Sequence, residues 1–140
     1  MNINTFLSIA AGAAIMMSAY TTMGSSYTSM GSGPSSMSTA PVRVEGGILV
    51  NTDGMTLYTF DRDPSNFRKS MCNGRCAKNW PPLLAFPNDI ADDDWSIIHR
   101  DDESLQWAYK GKPLYLWSLD KKPGDKTGDG LNNLWHVARY

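Results

Sequence analysis

Gly54-Met55-Thr56-Leu57-Tyr58-Thr59-Phe60-Asp61-Arg62-Asp63 and Gly111-Lys112-Pro113-Leu114-Tyr115-Leu116-Trp117-Ser118-Leu119-Asp120 are near copies of each other. Gly, Leu, Tyr and Asp fall in register, with an aromatic residue two places after each Tyr, so the pattern Tyr-x-aromatic-x-x-Asp occurs twice. A duplicated segment builds equivalent structural units that pack on one another, so its first message is architectural. It carries little chemistry of its own.

Outward from the repeat, period and punctuation read as short strands. Ile48–Val50 leads through Asn51-Thr52-Asp53-Gly54 into Thr56–Phe60, a strand, an Asp-Gly turn signal and a strand. The second copy repeats the order with Leu105–Tyr109, the turn Lys110–Pro113, and Leu114–Trp117. Ser96–Arg100 precedes it across the polar turn Asp101–Ser104, and Trp135–Ala138 closes the chain as another strand. Helix-period apolar spacing is hard to find after Pro41. The expected fold is all-β: a small domain of two pseudosymmetric hairpin repeats, sandwich or barrel-like.

Side chains alternate along a strand, so Tyr58 and Phe60 share one face, as do Tyr115 and Trp117, while Leu57 and Leu114 point the other way. Asp63 and Asp120 fall where each strand ends. There a carboxylate accepts bonds from loop N–H groups or from a Tyr hydroxyl. The six residues Tyr58, Phe60, Asp63, Tyr115, Trp117 and Asp120 therefore form either a structural ladder with loop clamps or a ligand platform of rings flanked by carboxylates. In each copy a loop follows and a Trp returns, at Trp80 or Trp135, positioned to cap the ring pair.

Composition divides the chain. Every charged side chain lies at or beyond Arg43. Phe6 through Ala19 is an apolar run of about 14 residues, shorter than the roughly 20 needed to span a bilayer and suited to a secretory signal. Residues 1–19 are read as a signal peptide, with an uncleaved anchor as the alternative. Residues 20–41, rich in Ser, Thr, Gly and Met, cannot bury enough apolar area to offset chain entropy and read as a disordered linker. The remainder, 42–140, is ordinary for one domain. Its Lys and Arg are dispersed and the chain's net charge is -1, which gives no footprint for nucleic acid. Membrane contact is expected only if the N-terminal segment is retained.

In an exported protein Cys72 and Cys76 are expected to be oxidised, and Gly74 between them lets so short a ring close. A thioredoxin-like site would have two intervening residues, and covalent haem attachment would have His where Ala77 stands. The expected role is a structural disulfide shaping the loop before Trp80.

Metal signals are fragmentary, and no cofactor is expected. Asp125, Thr127 and Asp129 copy the first half of a calcium loop, but His136 occupies the place of the bidentate Glu; Asp120 is the substitute ligand within reach. Copper ligands, if used, would come from His99 and His136 and from Met23, Met30 and Met37, which recur at seven-residue spacing and carry soft thioethers. The bland readings are imidazoles satisfied within strands and methionines incidental to a linker.

The doubled motif, together with Cys72-Asn73-Gly74-Arg75-Cys76-Ala77, Trp80-Pro81-Pro82-Leu83 and Trp135-His136-Val137-Ala138, resembles a bacterial family of secreted repeat proteins and predicted lipoproteins with the motif Y-x-[FWY]-x-x-D. The likeness runs from Val42 to the C-terminus. It implies export and brings no established activity with it. A lipoprotein carries Cys directly after its signal segment, whereas both cysteines here lie far downstream, so no lipid anchor is expected through Cys72 or Cys76.

No catalytic motif is present: no Gly-x-Ser-x-Gly, no phosphate-cradling Gly loop and no paired metal histidines. The expectation is an exported cell-envelope protein, periplasmic or secreted, acting as a non-catalytic structural or binding module for an envelope component or small ligand. The alternatives are a periplasmic copper or electron-transfer accessory protein and a carbohydrate-binding or hydrolytic domain.

Overall fold

The structure is a computed structural model that describes residues 37–65 and 68–140. The residues read as a signal peptide, 1–19, and those read as a linker as far as residue 36, with Met23 and Met30 among them, lie outside the described residues.

The domain is built from short strands. β1 (Val42–Glu45) and β2 (Ile48–Asn51) form an antiparallel hairpin over Gly46-Gly47. Both glycines have positive φ, as a tight turn between paired strands requires. β3 (Tyr58–Phe60) is followed by a loop and α1 (Arg75–Asn79), then by β4 (Leu84–Ala85), β5 (Trp95–His99), β6 (Leu105–Tyr109) and β7 (Lys112–Pro113). A 3-10 turn at Leu131–Asn133 leads into β8 (Trp135–Val137). β4, β6 and β5 form one sheet in that order, with β7 folded back on β6. β3 pairs with β8, joining the first copy of the repeat to the end of the second.

The all-β reading therefore holds, with one short α-helix among the described residues, and the sheets stay open rather than closing into a barrel. Pairing departs from simple hairpins in one respect. Across the Asn51–Gly54 turn the pairing is reduced to the Val50–Thr56 bridge, made by the Asn51 N–H to Met55 carbonyl and Leu57 N–H to Leu49 carbonyl bonds, while the regular ladders run from β2 to β1 and from β3 to β8. In the second copy the turn is tighter. Lys110 and Gly111 both take positive φ, and β6 and β7 pair directly across them.

Alternation along the two motif strands sorts the interior into two cores. Tyr58 and Tyr115 enter one, with Ile48, Val50, Cys72, Trp80, Trp135 and Val137. Leu57 and Leu114 enter the other, with Leu49, Leu83, Trp107, Tyr109 and Ala138. Tyr58 and Tyr115 also bridge each other through their backbones, Tyr58 N–H to Tyr115 carbonyl at 2.8 Å and the reverse at 2.9 Å. The two copies are thus joined at their equivalent tyrosines. Before β1, Thr39 is tied to the Phe86–Ile90 turn by bonds to Asp89 and Ile90, and Ala40 packs on the second core.

Candidate functional site

The motif side chains meet across the pseudo-two-fold relation. Tyr58 donates its hydroxyl proton to Asp120 Oδ2 at 2.6 Å, and Tyr115 donates to Asp63 Oδ2 at 2.5 Å. Each tyrosine thus uses the carboxylate of the other copy. Both phenols have no exposed surface. Burial is the first cause that raises both tyrosine pKa values well above the usual phenol range, with the facing carboxylate adding to it. Each Asp also holds the loop that follows it. Asp63 Oδ1 accepts the Met71 N–H at 2.7 Å, and Asp120 Oδ1 accepts the Thr127 N–H at 3.0 Å and the Thr127 hydroxyl at 2.5 Å.

The rings form a stack in the order Phe60, Trp135, Trp80, Trp117, with centroid separations of 4.2, 3.8 and 4.1 Å. Copies alternate along it. Tyr58 meets Trp80 edge-on at 5.2 Å and Tyr115 meets Trp135 likewise at 5.1 Å. Trp80 and Trp135 are buried at the centre, whereas Phe60 and Trp117 are half-buried at the two ends. Gly128 lies against the stack so closely that a Cβ there would stand 2.6 Å from the Trp80 ring and 3.0 Å from Trp117. The sequence places a Trp after each loop. It does not reveal that the returning rings stack on each other.

The loop between β3 and Trp80 is closed by the Cys72–Cys76 disulfide. α1 starts at Arg75, within the ring, and its end positions Trp80 through the Trp80 N–H to Cys76 carbonyl bond at 2.8 Å. Under this loop lies a buried polar network absent from the sequence reading. Arg100 donates to Ser70 Oγ at 2.9 Å, Gln106 Oε1 at 2.7 Å and the Cys72 carbonyl at 2.6 Å. Gln106 passes the network on to the Leu114 carbonyl at 2.7 Å. Ser70 Oγ lies 2.7 Å from the Tyr115 oxygen, and because the phenol proton is committed to Asp63, the serine is the donor there. Burial raises the Asp63 pKa, against the lowering effects of the Met71 N–H, Tyr115 and Arg100. The sequence held one signal of the network: Gln106 interrupts an apolar strand.

The remaining sequence candidates are dispersed. Asp125 Oδ2 accepts the N–H groups of Lys121 and Lys122 at 2.8 and 3.1 Å, which lowers its pKa, Thr127 is spent on Asp120, and Asp129 Oδ1 accepts the Val137 N–H at 3.0 Å. His99, at the end of β5, and His136, on β8, are both exposed rather than satisfied within the interior. His136 pairs with Asp61 at 2.8 Å, and Met37 is exposed. Among the described residues no three His, Cys, Asp or Glu side chains converge.

A cleft of about 340 Å³ opens between the β6–β7 turn and β8. Leu114, Val137 and Ala138 are among its lining, as are Lys110, Lys112, Arg139 and the His136–Asp61 pair. Among the described residues Lys112 and Arg139 have no carboxylate within ion-pair distance, so a chain of net charge -1 concentrates cations here.

With the two interlocked copies in view, a family comparison finds the same duplication. A model described as a secreted repeat of unknown function matches residues 40–84 and again 96–139. These matches span more than half of the chain, and the protein belongs to this family of secreted repeats. No curated protein and no solved structure matches it.

Proposed function

We propose that this protein is a non-catalytic module of the cell envelope, periplasmic or released, in which the doubled motif is a structural device. The observation that supports this reading is the crossed pairing. Both motif tyrosines are fully buried and hydrogen-bonded to the motif aspartates of the opposite copy, so these side chains face each other and not a ligand. The test is to compare stability and binding in Asp63→Asn and Asp120→Asn. Both variants should melt earlier and, below their transitions, retain whatever envelope component co-purifies with the wild type. Unchanged melting with loss of that component would make the motif a ligand platform instead.

A second reading, that the module binds a small anionic ligand, rests on the cationic cleft beside β8. An apolar lining with convergent charged groups is how small-ligand sites are commonly built. Benzoate and inorganic phosphate serve as probes. Either should raise the melting temperature of the wild type and leave Lys112→Ala/Arg139→Ala unmoved.

A further inference from the structure

We propose that the stacked rings and their two Tyr–Asp pairs form a one-electron relay, carrying an oxidising equivalent from Trp117 at the surface to the buried phenols. Three features of the arrangement converge on this function.

The first is continuity. Trp117, Trp80 and Trp135 are in face-to-face contact, and each of the two central indoles touches a tyrosine edge. Every step of this path from Trp117 to either phenol is a contact between two aromatic rings. The second is the proton. A phenol that loses an electron becomes a strong acid and must release its proton at once, so oxidation inside a protein requires an acceptor already in hydrogen-bond reach. Asp120 and Asp63 stand at 2.6 and 2.5 Å from the two hydroxyls. The third is polarity of the stack. Indole is far easier to oxidise than benzene. The end ring of the second copy is Trp117, whereas the first copy ends in Phe60. The relay is therefore open at one end and blocked at the other.

The step balances as follows. A one-electron oxidant at the surface, such as a high-potential metal complex or an organic peroxyl radical, takes an electron from the Trp117 ring and is reduced. Electrons move outward along the stack to refill the hole. At Tyr58 or Tyr115 the O–H bond breaks, the electron leaves through the facing indole, and the proton forms a new O–H bond on Asp120 or Asp63. The products are a neutral tyrosyl radical, a neutral carboxylic acid and the reduced oxidant. Reduction of the radical reverses both transfers. For an exported protein the consequence is storage of oxidising equivalents on shielded phenols.

The test uses the full chain with Tyr20, Tyr27, Tyr109 and Tyr140 replaced by Phe, so that only the paired phenols remain. Tyr109 tolerates this change because its buried hydroxyl has no hydrogen-bond partner among the described residues. Flash oxidation by photogenerated tris(bipyridine)ruthenium(III), with freeze-quenched electron paramagnetic resonance, should show a tyrosyl signal. Trp117→Phe copies the ring already present at position 60, keeps the stack, and should reduce the tyrosyl yield several-fold. Trp95→Phe, at the half-buried indole of the other core, should leave it unchanged. Asp63→Asn/Asp120→Asn should replace the tyrosyl signal by a tryptophan radical, a readout that does not depend on residue 117. Absence of a tyrosyl signal in the four-Phe background, or full yield in folded Trp117→Phe, would overturn the relay.

Discussion

The two copies of the repeat hold their motif aspartates in different ways, although the residues around them are in register. Asp63 is supported from beneath by a buried, charged network of Arg100, Ser70 and Gln106, and its loop is stapled by a disulfide. Asp120 is held by Thr127 and the loop that places Gly128 against the rings, without a buried cation. Arg43 and Leu49 are the first-copy residues in register with Arg100 and Gln106. Arg43 pairs with Glu45 at the surface, and Leu49 lies fully buried in an apolar core. One sequence pattern therefore specifies the Tyr–Asp pairs, while the residues in register around them differ: Arg100 and Gln106 share a buried polar network, where the first copy has a surface arginine and a buried leucine.

The sharpest way to break that comparison is to cut the shared part. Trp80→Ala and Trp135→Ala empty equivalent buried sites and should each cost about 3 to 5 kcal/mol in denaturant unfolding. Phe60→Ala and Trp117→Ala, half-exposed at the ends of the stack, should cost less than either. A large inequality between the two central indoles would show that the pseudosymmetry is geometric but not energetic.

The divergent part is next. Arg100→Met leaves the Cys72 carbonyl and the Gln106 amide oxygen without their donor inside the protein and should cost about 3 kcal/mol, since each buried acceptor left unpaired costs about 1 to 3 kcal/mol. Arg43→Met, in register with it but at the surface, should stay within about 0.5 kcal/mol of the wild type. Equal effects would erase the distinction between the copies.

The disulfide belongs to the first copy alone. Cys72→Ala/Cys76→Ala should lower stability by about 2 kcal/mol, near the low end for native bridges because the ring it closes is small. Alkylation of the native protein without reductant should label neither cysteine.

The smallest expected effect is in pH dependence. Burial raises the Asp63 pKa above its ordinary value of 3.8, so the native state binds this proton more tightly than the unfolded chain does. Its contribution is fully present below that value and is lost as pH rises through the elevated native pKa. Asp102 and Asp125, whose values are lowered by the Ser104 hydroxyl and the Lys121 N–H, act in the opposite sense and weaken the fold as pH falls. The stability difference between wild type and Asp63→Asn should therefore shift in favour of the variant as pH rises through the acid range. A flat difference would mean that Asp63 ionises in the fold without a penalty. At the alkaline end, Tyr58 and Tyr115 should show no phenolate absorbance until the domain unfolds, since both resist ionisation above the ordinary value of 10.0.

Much of this was legible in the chain. Alternation places Tyr58 with Phe60 and opposite Leu57, and the same rule separates Tyr115 from Leu114, because a strand sends neighbours to opposite faces whatever surrounds it. Gly111 marks the tight second-copy turn, and a cysteine pair in a secreted repeat with Gly74 between them marks the bridge. α1 was not legible, since its single short segment, which begins within the disulfide ring and runs on past Cys76, has no room for a helical period. His136 read as a strand residue that would be partly buried. It faces outward because β8 buries Trp135 and Val137 on its other side.

Sequence by itself thus determined the short-range facts: the duplicated motif, the face each side chain takes, the turns and the secreted class. Tertiary structure alone decided which tyrosine meets which aspartate, the order of rings in the stack and the burial of Arg100. Those depend on how the two copies dock. Spacing along one strand fixes where a hydroxyl points, but its partner lies 62 residues away for Tyr58 and 52 for Tyr115, and only the packed core brings them within a hydrogen bond.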